Sequence, residues 1–145
     1  MGNLYKRLGE AWLASGVSVC EGALLDSINR LEKTHAVKLP GQFRDYLLKL
    51  GGMTDGQTDD CLISFLSLEA INNELDTKPQ NSNIVDITFA EYLIYSHCYV
   101  LRISEIGNQL GVYAMDGANE KKIADSFDQF IIAYLENPEC IAYCW

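Results

Sequence analysis

His97 and Cys98 are adjacent, and an imidazole beside a thiol is the pairing that activates a nucleophile. The surrounding SHCYVLRI is rich in β-branched and aromatic residues and reads as a strand. Adjacent side chains on a strand point to opposite faces, so these two groups cannot form a dyad with each other. One belongs to the core and the other to the outer face. His35 falls on or beside the apolar stripe of a helix, where packing is expected rather than catalysis. On a helix, Cys140 and Cys144 would share a face at i, i+4, but no histidine or carboxylate cluster beside them completes a zinc set. Asp55, Asp59 and Asp60 in the loop MTDGQTDD offer oxygen ligands, yet the calcium-loop spacing of a glycine at position 6 and a glutamate at position 12 is missing. A flexible loop of acids is also a poor scaffold for paired-carboxylate hydrolysis. No phosphate-binding glycine loop, HExxH or GxSxG motif occurs. The expectation is a protein that is not an enzyme, with no cofactor and no metal.

The tyrosines offer a different chemistry. Tyr92, Tyr95, Tyr99 and Tyr113 fall in the same region as Asp86, Glu91, Glu105 and Asp116. Tyrosine gives contact area at low entropic cost, and acids steer a basic partner, so the combination suits a protein interface. Ordinary half-buried strand tyrosines beside solvated charges are the other reading, and the pattern alone leaves both open. The charge of −9 is unevenly spread. Residues 1–50 hold seven Lys/Arg against five Asp/Glu, whereas residues 51–145 hold four against fifteen. Such an acidic body repels nucleic acid and anionic membrane and favours a basic protein partner, although acidic surfaces also simply keep a protein soluble. The residues expected at an interface are Asp55, Asp59, Asp60 and Glu91 as steering charges, with Tyr92 or Tyr95 as the anchor.

Periodicity shows what must position these groups. Leu4, Leu8, Ala11, Trp12 and Ser15 repeat at helical spacing, with Gly16 as a stop. A second stripe of Leu24, Leu25, Ile28, Leu31 and His35 must end before Leu39-Pro40, because a residue before proline is pushed out of the helical region. Pro40 suits the first turn of a third helix with Phe43, Tyr46, Leu47 and Leu50 on its apolar face, and Gly51 is expected to close it in the left-handed conformation. Cys61 to Phe65 predicts a short strand, Ser67 caps a brief helix through Leu75, and residues 76–83 form a loop. Ile84 to Tyr92, Ser96 to Ile103, Gln109 to Met115 and the segment from Lys122 predict an antiparallel meander. Ser126 or Asp125 caps a last helix carrying Phe127, Phe130, Ile131, Tyr134 and Leu135, which Pro138 ends.

The five cysteines form no CxxC pair, and three sit inside apolar segments, so they are expected as reduced, packed thiols. The longest apolar run, Phe130 to Leu135, is too short to span a bilayer. The N-terminus has no apolar signal region, so cytoplasmic residence is the expectation.

The order of these elements resembles the SUKH superfamily, which includes the yeast cell-wall-synthesis regulator of the Smi/Knr type and many small bacterial proteins. The matching residues are Leu31-Glu32, Leu39-Pro40, Phe43, Tyr46, Leu47, Leu48 and Gly51-Gly52. FAEYLIYSHCYVLRI at 89–103 is similar to the family's central strand pair, and IADSFDQFIIAYL at 123–135 to its closing strand and helix. The resemblance covers roughly residues 20–136 and is strongest there. With the pattern above it implies a single α+β domain over 1–145, with N-terminal helices, an antiparallel meander sheet and a C-terminal helix packed on the sheet. It further implies a bacterial immunity protein that binds and occludes a cognate toxin, often a nuclease or deaminase. A regulatory interaction module or a small-ligand binder is the alternative.

Overall fold

The computed structural model describes residues 3–77, 83–117 and 119–142. Helix α1 (Leu4–Ala14) buries Leu4, Tyr5, Leu8 and Trp12 on one face, as the i, i+4 spacing requires. Helix α2 (Leu25–His35) buries Ile28, Leu31 and His35 and ends on Ala36 in the left-handed conformation, φ 53°. Helix α3 (Gly41–Lys49) starts directly after Pro40 and buries Phe43, Tyr46 and Leu47. The corner between α2 and α3 is clasped by Glu32, whose carboxylate accepts from the Leu39 amide at 2.8 Å and from the Arg44 guanidinium. The Leu31-Glu32 and Leu39-Pro40 pairs are thus two halves of one structural joint.

Gly51 corrects an expectation. Helix α3 passes into strand β2 (Leu50–Met53), and Gly51 has no positive φ. Strand β2 pairs antiparallel with strand β1 (Val19–Glu21), a small second sheet that the periodicity does not announce. A side chain at Gly51 would meet the Glu21 carbonyl oxygen at 2.0 Å, so close strand approach dictates glycine there. The left-handed residue is Gly52, φ +81°, whose back lies against the Leu66 carbonyl oxygen.

The main sheet is a five-stranded antiparallel meander in sequence order. Its strands are β3 (Ile63–Phe65), β4 (Ile84–Tyr92), β5 (His97–Ser104), β6 (Gln109–Asp116) and β7 (Asn119–Ala124). Helix α4 (Leu68–Asp76) follows β3, and Ser67 caps it by accepting from the Ala70 amide at 3.2 Å. Helix α5 (Phe127–Glu136), capped by Ser126 through the Gln129 amide, lays Phe127, Phe130, Ile131 and Tyr134 into the core. Pro138 both ends that helix and opens the short α6 (Pro138–Ala142), where its missing N–H is harmless. The core is one contiguous cluster, with the rings of Phe43, Phe65, Phe89, Phe127 and Phe130 packed largely edge to face. The architecture is α+β, with N-terminal helices and a C-terminal helix packed on the sheet.

The loop expected at 76–83 lies largely outside the described residues, and so does Cys144. None of the other four cysteines forms a disulfide among the described residues. Cys20, Cys61 and Cys98 are half-buried, whereas Cys140 is exposed and not packed as expected. Among the described residues, no helix is long and apolar enough to cross a membrane.

Candidate protein-binding site

A bulge in β4 sets up the site. Thr88 faces Val100 on β5 and Ala90 faces Tyr99, leaving Phe89 as the extra residue between two pairs. The bulge reverses the alternation, so Phe89 and Ala90 are both fully buried. Beyond it Glu91 pairs with Cys98 and with Ser64 of β3, and cross-strand partners share a face. Tyr92 pairs with His97 on the core side, and their rings stack at 4.8 Å. His97 Nε2 meets the Tyr99 hydroxyl at 2.9 Å, and Tyr99 donates to the Ile141 carbonyl. His97 and Cys98 therefore do lie on opposite faces. Burial lowers the His97 pKa against an opposing pull from Asp116.

The β4–β5 hairpin closes through Leu93, Ile94 and Tyr95, three successive non-glycine residues at φ 48°, 52° and 62°. Left-handed geometry costs an L-residue roughly 1–2 kcal/mol, and for β-branched Ile94 it is a true outlier. Several bonds hold the turn. The Ser96 amide donates to the Tyr92 carbonyl at 2.9 Å, Leu93 to Leu62 at 3.0 Å, and the Tyr95 amide to the Glu91 carboxylate. The result is an apolar tip. Ile94 is 87% exposed and Tyr95 54% exposed, with Leu62 and Leu93 also exposed beside them.

A cavity of about 360 Å³ opens beside this tip. Asp55 and Gln57 of the loop after β2, Ser64 of β3, and Glu91, Ile94 and Tyr95 of the hairpin line it. The loop is tied down by the Thr54 amide donating to the Ser18 carbonyl at 3.0 Å and by Gln57, which accepts from the Ser18 amide at 2.5 Å. Three of the six residues expected at an interface, Asp55, Glu91 and Tyr95, meet in this cavity.

The other three do not join them. Asp59 is only 7% exposed, because its carboxylate accepts from the Cys61 and Ile63 amides at 2.8 and 3.0 Å and from the Tyr134 hydroxyl. It is a clasp between the loop and α5, and it cannot serve as a rim charge. Burial and the charge of Asp59 hold the Tyr134 phenol well above its ordinary pKa. Asp60 is exposed and points toward α1, with Ser15 Oγ at 3.4 Å from its carboxylate. Tyr92 is half-buried against His97. Glu91 is also 7% exposed, so it is a cavity wall and not a steering charge at the surface.

Sequence reasoning missed Ser64, Gln57 and Ile94. The Leu-Ile-Tyr turn carries none of the glycine, asparagine or aspartate signals of left-handed backbone, so nothing local marks Ile94 as protruding. Among the described residues no three His, Cys, Asp or Glu side chains are placed to hold a metal ion.

The model of the SMI1 / KNR4 family (SUKH-1) matches residues 22–133 of the chain. No curated protein matches it.

Proposed function

Because the chain belongs to the SMI1 / KNR4 family (SUKH-1), we propose that it is a non-enzymatic binding domain, an immunity protein that neutralises a cognate toxin by covering its working face. The observation that carries this reading is the hairpin tip Leu93–Tyr95, apolar, exposed and held in a costly left-handed turn beside an acid-lined cavity. Strained backbone persists only where its surroundings over-determine it, and such strain concentrates at sites of recognition. An exposed tyrosine beside an isoleucine supplies the apolar anchor that interface hot spots require. The acidic second half of the chain supplies a field that draws a basic protein such as a nuclease or deaminase.

The test is co-expression in bacteria with whatever nuclease- or deaminase-type toxin domain is encoded beside the gene, an isolated gene speaking against the reading. Wild-type protein restores growth and co-purifies with the toxin. Ile94→Asp and Tyr95→Ala weaken the complex by roughly tenfold or more, in line with about 2 kcal/mol for a true anchor. A toxin left fully active by the wild-type protein, or equal protection by both variants, overturns the reading.

A further inference from the structure

The interior of the cavity names the chemistry of what enters it. Glu91 is 7% exposed, and one carboxylate oxygen accepts from the Tyr95 amide. Glu91 itself lines the cavity, and its other oxygen accepts from no described donor while staying within reach of solvent. A carboxylate oxygen with no protein donor in a half-enclosed space binds a charged donor more strongly than it would in open water. Asp55 lines the mouth, and no described cation forms an ion pair with either acid. None of the residues lining the cavity is basic.

The wider electrostatics agree. Burial first, then the charges of Glu74, Glu91 and Asp55 among other groups, hold the Tyr95 phenol above its ordinary pKa. The described cations of the second half, Arg102, Lys121 and Lys122, stand on β5 and β7, away from the β3 edge where the cavity opens. Arg102 is committed to Asp86 and Glu120, and Lys122 to Asp125.

We propose that the cavity receives one arginine side chain of the partner protein, its guanidinium paired with Glu91 and Asp55 and its plane against the Tyr95 ring. Arginine suits the site better than lysine. Its planar fork matches a carboxylate with two hydrogen bonds, and its weakly hydrated face stacks on an aromatic ring. The ammonium of lysine is more strongly hydrated and loses more on entering a half-enclosed space. A volume of about 360 Å³ leaves room for the aliphatic stem and a few waters while excluding a folded segment. The assignment rests on the protein-binding reading above and adds the identity of the group that fills its centre.

The peptide acetyl-Gly-Arg-Gly-amide tests it without any toxin. Titrated into isotopically labelled full-length protein, it shifts the amide resonances of Tyr95, Gly56 and Ser64. The lysine counterpart binds several-fold more weakly, and the uncharged citrulline counterpart about tenfold or more weakly. Glu91→Gln keeps an acceptor for the Tyr95 amide yet loses the charge, and it weakens the arginine peptide about tenfold. Asp55→Asn, at the exposed mouth, weakens it less and leaves the remaining spectrum unchanged. Equal binding of citrulline, shifts confined to other acidic patches, or calcium ion alone reproducing the pattern while the peptides do not would each overturn the proposal. Failure here with toxin neutralisation intact removes the arginine and leaves the functional reading standing. Failure of neutralisation with peptide binding intact does the reverse.

Discussion

Two buried phenols differ in what surrounds their oxygens. Tyr134 donates to Asp59, which ties the acidic loop to α5, while the Tyr46 hydroxyl is fully buried and has no hydrogen-bond partner among the described residues. Burial raises the pKa of both phenols, so each stays neutral across the working pH range, but only Tyr134 has an acceptor for its proton. Removing one partner of a buried pair leaves the other unsatisfied, whereas removing an already unpartnered group sacrifices nothing. Tyr134→Phe should therefore lower unfolding free energy by about 1–3 kcal/mol. Tyr46→Phe should match the wild type or exceed it. Urea midpoints of the two variants check this, and equal losses would show that Tyr46 has a partner of its own. The same contrast explains why Asp59 could not be recognised as internal from sequence. In MTDGQTDD three aspartates look alike, and only the fold assigns one to a cavity wall, one to a buried clasp and one to the surface.

The glycine pair at the end of α3 shows how elements are joined. Gly51→Ala places a methyl group 2.0 Å from the Glu21 carbonyl oxygen, so β1 and β2 must separate. Gly52→Ala combines a 2.3 Å approach to the Leu66 carbonyl oxygen with φ +81°, adding roughly 1–2 kcal/mol of conformational cost to the clash. Gly56 has a similar φ of +84° with nothing within 4 Å, so Gly56→Ala isolates the conformational cost alone. The expected order of denaturant midpoints is Gly56→Ala above Gly52→Ala, with Gly51→Ala also clearly below wild type. A Gly51→Ala protein of wild-type stability would refute the close approach of β1 to β2. The long elements were legible in the sequence because their apolar residues repeat at 3.6 or 2. Strand β4 was expected at Ile84 to Tyr92 and occupies those residues. Strands β1 and β2 were not legible, since three or four residues with two glycines show no alternation and are held by backbone approach. The bulge at Phe89 was equally silent, yet it decides that Glu91 faces the cavity and Tyr92 the core.

At the scale of the molecule, the acidic charge is divided between a cavity and a surface, and under the proposed binding function the two would act on different rate constants. Asp60 and Glu139 are exposed, and after burial their charges, with that of Asp59, raise the pKa of the Cys61 thiol. They therefore belong to one acidic neighbourhood where the loop meets α6, apart from the cavity lined by Asp55 and Glu91. Exposed charges raise the encounter rate with a basic partner and are screened over about 8 Å at physiological salt. Groups desolvated in the final complex govern how long it lasts. Neutralising Asp60 and Glu139 together, as Asp60→Asn with Glu139→Gln, should slow association with a partner of the proposed kind and flatten its dependence on salt. Dissociation and thermal midpoint should stay as in the wild type. Glu91→Gln should leave the salt dependence of association nearly unchanged and speed dissociation by about tenfold. Stopped-flow association at several salt concentrations, with dissociation followed by competition, separates the two. Association that is indifferent to salt in the wild type would mean that the acidic surface serves solvation alone. The contact would then have to be sought on the basic N-terminal helices.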